Sequence, residues 1–350
     1  YTTDGSMIIS AFGKTISCRS SKTGELISSW EVHSNFDIKS IETSADGKFL
    51  LSLFYYTDTA KVWNTEDGSL RYILVHARTP DYGAFSNNSS QLITRVYDSL
   101  FVWDAGSGLP VSRSRIAPPA SDDTKARTII SPDGKYFLDL SVSRKIGIRR
   151  TADSMLAAEL KGHTYANAYC TFSSRENFMA AANGDGSVKV WNGSDGKLYA
   201  EMRGHRQEIK TIEFSPDGKK LLSASYDNTA RIWEFPPGKP LAVMDGAARN
   251  DPEDKSRRKG VEWLHSAVFD PAGRYIMTVG DDHYLKIWGS DGSLQKELAF
   301  NGPISYACFS QDGNYILALS KTSEVSLNRI LTVLSAGDWN LVNEWALGMT

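Results

Sequence analysis

Cysteine pairs, an excess of one charge, long apolar runs and catalytic motifs are scarce or absent in this chain of 350 residues. It has three cysteines, Cys18, Cys170 and Cys308, and none of them belongs to a Cys-X-X-Cys pair. Each lies in an apolar run typical of a β-strand, which favours small buried side chains in a reducing compartment. The cysteines therefore predict a cytoplasmic location and indicate no metal site.

Neither charge nor long apolar runs point to a nucleic acid or a membrane. The 39 basic and 41 acidic side chains leave a formal net charge of -2, so the broad basic field typical of nucleic-acid-binding proteins is absent. No apolar run approaches the ~18 residues of a membrane span, and no secretory leader is visible. The chain begins at Tyr1 without a methionine. We therefore expect it to be part of a longer polypeptide with residues before Tyr1.

Catalytic sequence motifs are also missing. The chain contains no His-Glu-X-X-His, no Gly-X-Ser-X-Gly and no Walker A loop. The glycines of AANGDGSVKV lie between two predicted strands, whereas a phosphate-binding loop precedes a helix. The sequence therefore predicts no catalytic residue, no metal site and no cofactor, and we do not expect the chain itself to be an enzyme.

What the chain does contain is a repeat. The segment KVWNGSDGKLYAEMRGH, residues 189–205, joins a strand-like run ending in Trp to an Asp-Gly turn, a second run and a Gly-His pair. The leucine that follows this turn recurs at intervals of 39 to 53 residues, at Leu26, Leu70, Leu109, Leu156, Leu198, Leu241, Leu294 and Leu341. A period near 40–45 residues with several short strands per unit predicts the blades of a β-propeller.

Each unit contains four short strands separated by turns. In the sixth unit the strands are predicted at IKTIEF, KLLSAS, TARIWEF and LAVMDG. Their β-branched, aromatic and small residues are typical of sheets that are buried on both faces. Because a small sheet cannot cover both of its own faces, neighbouring units are expected to stack on one another.

The order of Gly-His, strand, Ser-Pro-Asp-Gly turn, strand, Asp and a strand ending in Trp resembles the WD40 repeat family. The sixth unit carries the most complete version, with Gly204-His205 at its start. In this family such residues form a hydrogen-bonded tetrad that satisfies a buried aspartate. The resemblance implies that the tetrad here consists of His205, Ser223, Asp227 and Trp233.

Other units depart from the motif. The fifth has Ala181 where the hydroxyl is expected, and the seventh has Thr278, Asp282 and Trp288 but no preceding Gly-His. The first, fourth and eighth units lack the Trp. The regular period therefore supports the family resemblance more strongly than any single motif does.

The number of blades follows from counting strands. Eight copies of the third and fourth strands are present but only seven of the first, because Tyr1 falls just before the first turn. We predict an all-β, WD40-type β-propeller that forms a single domain over residues 1–350. It would have eight four-stranded blades, the first of which lacks its innermost strand. Seven blades remain the alternative.

The resemblance also implies where partners would bind. Loops open on one face of such a domain, and the positions after the Gly-His and before the Asp point toward its central opening. These positions are predicted to form the partner-binding face and include Tyr165, Asn167, Gln207, Tyr226, Trp263 and Asp281. Two long polar loops, 115–127 and 245–260, are expected on the same face. His33, His76 and His265 are interpreted as structural, with His265 in the core.

These observations favour a non-catalytic scaffold or sensor domain that presents a loop-lined face to protein or peptide partners, or to other domains of the same longer chain. An enzyme or small-ligand sensor that uses the central channel remains the alternative. Convergent charges around the channel would indicate it, but the inner strand IKTIEF is mostly apolar.

Overall fold

The computed structural model describes residues 6–86, 88–115, 131, 133–142, 145–160, 169–173, 178–193, 195–236, 238–245, 264–321 and 329–347. In these ranges every regular element is a β-strand, and there is no helix long and apolar enough to cross a membrane. The strands form eight sheets, which confirms the predicted all-β fold and its eight repeats. The chain divides into two compact units, Tyr1–Asn167 with Trp191–Leu198, and Ala168–Val190 with Tyr199–Thr350.

Four sheets precede Asn167. The first contains β1 (Met7–Phe12), β2 (Thr15–Ser20) and β3 (Leu26–Glu31). The second contains β4 (Ile38–Thr43), β5 (Phe49–Phe54), β6 (Thr59–Asn64) and β7 (Leu70–Val75). The third contains β8 (Tyr82–Phe85), β9 (Gln91–Val96), β10 (Ser99–Asp104) and β11 (Pro110–Arg115). The fourth contains β12 (Tyr136–Val142), β13 (Lys145–Arg150) and β14 (Leu156–Leu160).

Four more sheets follow Asn167. The fifth contains β15 (Cys170–Phe172), β16 (Phe178–Ala182), β17 (Ser187–Asn192) and β18 (Leu198–Arg203). The sixth contains β19 (Ile209–Phe214), β20 (Lys220–Ser225), β21 (Thr229–Glu234) and β22 (Lys239–Asp245). The seventh contains β23 (Leu264–Phe269), β24 (Tyr275–Gly280), β25 (Tyr284–Gly289) and β26 (Leu294–Ala299). The eighth contains β27 (Ile304–Phe309), β28 (Tyr315–Lys321), β29 (Arg329–Ser335) and β30 (Leu341–Leu347).

Consecutive strands are neighbours in every sheet, so each sheet is a simple meander. Six sheets have the predicted four strands. The first has three described strands, β1 to β3, and residues 1–5 before them lie outside the described ranges. The fourth sheet has three described strands, and residues 116–130 before it lie outside the described ranges.

The second unit shows why the strands carry apolar residues on both faces. On β20, Leu221 packs into a core cluster with Val190 and Met202 of the fifth sheet. The next residue, Leu222, points to the other face and packs with Phe269 and Ile276 of the seventh sheet. Successive side chains of a strand point to opposite faces, so one strand contributes to two cores. The prediction that small sheets are covered by their neighbours is confirmed for the sixth sheet.

The same arrangement occurs in the first unit. Leu50 of β5 packs with Ile16 of the first sheet, whereas Leu51 packs with Leu92 of the third. Burying a side chain of this kind stabilises the fold by about 1.5–3 kcal/mol. The alternation therefore serves both neighbouring cores rather than one core and the solvent.

The Asp-Gly turn between the third and fourth strands is fixed by backbone geometry and by a neighbouring side chain. Gly68 has φ 69°, and a Cβ built on it would lie 2.6 Å from the Trp30 ring of the preceding sheet. Gly292 has φ 88°, and its Cβ would lie 2.5 Å from the Cβ of Ala242. Glycine is required at these two turns both for the left-handed conformation and for the close approach of the adjacent sheet.

The sixth sheet brings the four predicted tetrad residues into one hydrogen-bonded chain. The Trp233 indole N–H donates to Ser223 Oγ at 2.9 Å, and Ser223 Oγ lies 2.8 Å from His205 Nε2. His205 Nδ1 lies 2.9 Å from Asp227 Oδ2. Because the indole can only donate, a consistent direction runs from Trp233 through the Ser223 hydroxyl and the His205 imidazole to the Asp227 carboxylate.

The Asp227 carboxylate is held ionised by its hydrogen bonds. Burial alone would raise its pKa, but donation from His205, Thr229 and the Arg206 backbone N–H outweighs burial and holds this pKa well below its usual range. The backbone N–H groups of Arg206 and Thr229 lie 2.9 and 3.0 Å from its oxygens. The carboxylate therefore anchors both the Gly-His segment before β19 and the turn before β21.

The third sheet has a shorter version of this chain built around His76. The Trp103 indole donates to Thr94 Oγ1 at 2.8 Å, and Thr94 Oγ1 lies 2.7 Å from His76 Nε2. The other imidazole nitrogen, Nδ1, lies 3.3 Å from the carbonyl oxygen of Asp58 instead of a carboxylate. Burial lowers the pKa of His76, which is therefore neutral and structural, as interpreted from the sequence.

A lysine replaces the histidine in the second sheet. His33, at the position of His205, is exposed, so its interpretation as a buried structural residue is wrong. Lys61 of β6 is buried instead, with Nζ 5.8 Å from the Trp63 ring centroid, and it donates to the His33 carbonyl oxygen. The Trp63 indole still donates to Ser52 Oγ at 2.8 Å.

The seventh sheet also has a buried lysine on its third strand, but here the lysine pairs with an aspartate. Lys286 Nζ of β25 lies 2.8 Å from Asp282 Oδ2, and both side chains are buried. The Trp288 indole donates to Thr278 Oγ1 at 2.8 Å. The sequence correctly indicated that no histidine serves this sheet, but the lysine that takes its place was not recognised.

Replacing Trp233 with alanine is expected to lower the free energy of unfolding by about 3–5 kcal/mol, because a large buried ring is removed and Ser223 loses a donor. Ser223→Ala should cost about 1–3 kcal/mol, since it leaves the indole N–H and His205 without their shared partner. Urea denaturation measures both. Wild-type midpoints for the two variants would contradict the structural role of the tetrad.

Replacing Lys286 with methionine is expected to cost about 3–5 kcal/mol, because Asp282 would remain buried without its ion-pair partner. The matched double variant, Lys286→Met with Asp282→Asn, removes the uncompensated charge and should recover part of this loss. Urea denaturation of the three proteins provides the comparison. A single variant as stable as the wild type would show that the ion pair does not support the seventh sheet.

Candidate interaction face

A β-bulge lies near the start of the first strand in four sheets. In β4, β19, β23 and β27 the pairing with the second strand skips one residue. A bulge leaves the extra residue unpaired in the ladder and redirects its side chain. The skipped residues are Lys39, Lys210, His265 and Ser305. These positions, together with the first residue after each second strand, define what we call the bulge face of a sheet.

The bulge face of the sixth sheet combines a cation, a carboxylate and an aromatic ring. Lys210 Nζ lies 2.8 Å from Glu208 Oε1 and 4.2 Å from the centroid of the Tyr226 ring. Burial alone would lower the pKa of Lys210, but Glu208 and Tyr226 outweigh it and raise this pKa. The lysine is therefore firmly protonated, and it fixes the orientation of the half-buried Tyr226.

Two of the predicted face residues, Gln207 and Tyr226, lie in neighbouring segments of this sheet. Gln207 is exposed, and its carbonyl oxygen accepts a hydrogen bond from Ser225 Oγ at 3.0 Å. The Tyr226 backbone N–H donates to the Glu208 carbonyl oxygen at 3.0 Å. Residues 207–208 and 225–226 are therefore held side by side where β19 begins and β20 ends.

The bulge face of the seventh sheet presents a histidine and an aspartate. His265 Nε2 lies 2.6 Å from Asp281 Oδ1, and each side chain is 39% exposed. His265 is therefore a surface residue, and its interpretation as a core histidine is wrong. The bulge accounts for the error, because it turns the side chain away from the core that an unbroken alternation of WLHSAVF would predict.

The remaining predicted positions lie outside the described residues. These are Tyr165, Asn167 and Trp263. Most of the two long loops also lies outside, since the structure describes only Arg115 of the first loop and Asp245 of the second. The described part of the predicted face thus consists of Gln207 and Tyr226 in the sixth sheet and Asp281 in the seventh.

Sequence reasoning missed the second sheet, which has an exposed aromatic group at equivalent positions. Tyr55 is the first residue after β5, and its backbone N–H donates to the Asp37 carbonyl oxygen at 3.1 Å, as that of Tyr226 does to Glu208. Its neighbours are Phe36 and Tyr56. The rule that selected Tyr226 would have found Tyr55, but the second unit lacks the Asp on which that rule was anchored.

The groups at these positions favour recognition through hydrogen bonds, charge and aromatic contact. The described residues contain no cluster of three or more His, Cys, Asp or Glu side chains arranged to hold a metal ion. Burial raises the pKa of Cys18, Cys170 and Cys308, so all three remain thiols at neutral pH. The face therefore offers donors, acceptors and rings without a thiolate nucleophile.

Comparisons with known proteins identify the repeat. Residues 155–192, 196–234 and 259–289 match the family model for the WD domain, G-beta repeat (WD40). No curated protein matches the chain.

Two solved structures show the same fold. The C-terminal WD40 domain of Sif2 is 15% identical, with a TM-score of 0.71 over 90% of each chain. The computationally designed Ika8 protein is 18% identical, with a TM-score of 0.70 over 89% of this chain and 90% of the other. Identities this low establish the fold and leave the binding partners open. Three stretches of the chain thus match the WD40 repeat, and the whole chain has the all-β fold of an eight-bladed, WD40-type β-propeller.

Proposed function

We propose that this chain is a non-catalytic scaffold or sensor domain that binds protein or peptide partners through its bulge faces. WD40 propellers are generally protein-interaction scaffolds. The observation that supports the proposal here is the set of redirected side chains at Lys210 and His265. They pair with Tyr226 and Asp281 at the surface and contribute to neither core.

The composition of these positions supports a protein partner. Tyrosine combines a large apolar ring with a hydroxyl, and such residues commonly anchor interfaces. The Lys210 cation and the exposed His265–Asp281 pair add polar groups that can fix the orientation of a partner. Such a mixture suits a partner that has both apolar and polar side chains.

We also propose that the protein works in the cytoplasm and that its partners include proteins or other domains of a longer chain. The three cysteines are free, which is compatible with a reducing compartment. The near balance of charges gives no support for a nucleic acid as the partner.

Tyr226→Ala and Asp281→Asn together are expected to weaken partner binding at least tenfold while changing the melting temperature little. The ring and the carboxylate lie at the surface, and each pairs with one redirected side chain. The experiment is affinity purification with quantitative mass spectrometry, in which the recovery of each partner is compared between the variant and the wild type.

Val243→Ser provides the matched control, because Val243 is an exposed residue of β22 at the opposite edge of the sixth sheet. Partner recovery should be the same for this variant and for the wild type. Equal recovery for all three proteins would reject these bulge faces as the binding surface.

A further inference from the structure

The second sheet carries a cluster of exposed rings, here called the second-sheet patch and formed by Phe36, Tyr55 and Tyr56. The Phe36 and Tyr56 ring centroids are 5.9 Å apart with the rings edge to face, and those of Tyr55 and Tyr56 are 6.1 Å apart. The side chains are 40%, 46% and 78% exposed, respectively. The Tyr56 ring thus contacts both other rings, and all three are exposed.

The backbone at Tyr56 makes this exposure more informative. Tyr56 has φ 57°, in the left-handed region that bulky residues rarely adopt. In the shorter turn of the sixth sheet, the residue in this conformation is Asn228, with φ 65°, directly before β21. Asparagine adopts it more readily than tyrosine does. Tyr97 and Trp339 also adopt this conformation, so the backbone alone assigns no role to Tyr56, and it is the exposure of its ring that points to a role in binding.

Two carboxylates flank the rings. Asp37 follows Phe36 directly, and its carbonyl oxygen accepts the Tyr55 N–H. Asp58 lies two residues after Tyr56, in the same turn. Both side chains are exposed, and within the described ranges neither has a hydrogen bond or an ion pair. Burial lowers the pKa of His76, and the Asp58 charge opposes this effect without reversing it.

Two lysines limit how much positive charge the patch can accept. Lys39 follows Asp37 on β4, and Lys14 lies in the first-sheet turn whose Gly13 carbonyl oxygen accepts the Ile38 N–H at 2.7 Å. Their charges would repel a continuous run of basic residues. A single cation on the rings is compatible with this arrangement, because Asp37 directly follows Phe36 and Asp58 lies in the same turn as Tyr55 and Tyr56.

We propose that the second-sheet patch binds an isolated arginine side chain in an otherwise neutral segment of a protein partner. The planar guanidinium stacks on the exposed ring faces and donates to the carboxylates of Asp37 and Asp58. Arginine fits better than lysine, because its fork of donors contacts a ring and a carboxylate at the same time. This inference deepens the proposed function and rests on it, since it assigns a partner chemistry to a patch that includes Tyr55 of the second sheet's bulge face.

The test uses a defined probe, a Gly-Ser peptide with one central arginine, followed by ligand-observed NMR with the whole chain. Three further peptides replace the arginine with citrulline, lysine or glutamate. Citrulline keeps the shape and removes the charge, so its binding should be at least about fivefold weaker, the ratio that corresponds to about 1 kcal/mol of cation–π attraction. Lysine should bind more weakly than arginine, and glutamate should not bind.

Tyr56→Asn separates binding from folding. Its melting temperature should equal or exceed that of the wild type, because asparagine tolerates the left-handed backbone, while arginine-peptide binding should fall about fivefold or more. Asp58→Asn should weaken binding and reduce its dependence on salt. Tyr306→Ser, which changes an exposed tyrosine of β27 outside the patch, should leave binding unchanged.

Equal binding of the arginine and citrulline peptides would overturn the proposal, as would unchanged binding by Tyr56→Asn. Preferential binding of the glutamate peptide would show that Lys14 and Lys39 dominate and would equally overturn it. These results are distinguishable from failure of the proposed function. Partners lost on changing Tyr226 and Asp281 would still identify an interaction module, whereas an unaffected set of partners would reject those faces whatever the peptide does.

Discussion

The structure depends on burying both faces of sheets that are only three or four strands wide. A strand such as β20 places Leu221 in one core and Leu222 in the next. Each strand of this kind therefore contributes to two cores at once. Polar residues on these strands must be satisfied internally, because neither face reaches water. This constraint explains why a hydroxyl accepts a hydrogen bond from the indole in the second, third, sixth and seventh sheets.

The same constraint permits more than one way to complete the buried polar group. His205 bridges Ser223 and Asp227 in the sixth sheet, whereas a third-strand lysine fills the corresponding place in the second and seventh. The histidine comes from the segment before the first strand, and the lysine comes from within the sheet. The acceptor in each of these sheets, a carboxylate or a backbone carbonyl oxygen, therefore receives a hydrogen bond from whichever donor the chain supplies.

Much of the fold could be predicted from the sequence because its signals are local and repeated. The spacing of turns and Trp-ending strands indicated eight units, and the complete sixth motif indicated which four side chains meet. The bulges could not be predicted, since one extra residue in a strand leaves no distinct composition, and His265 was therefore assigned to the core. Lys286 was missed because its role depends on Asp282 lying beside it after folding.

The second-sheet patch was missed for a different reason, which also explains how such a face can acquire binding residues. The turn between β5 and β6 spans residues 55–58, one more than the turn between β20 and β21, and it has no counterpart of Asp227. Its sheet is instead held by Lys61 and by the cores on either side. Once the buried groups are satisfied elsewhere, the turn no longer has to anchor the sheet. Its two rings and the Asp58 carboxylate are then free to face a partner, even with Tyr56 in the left-handed conformation.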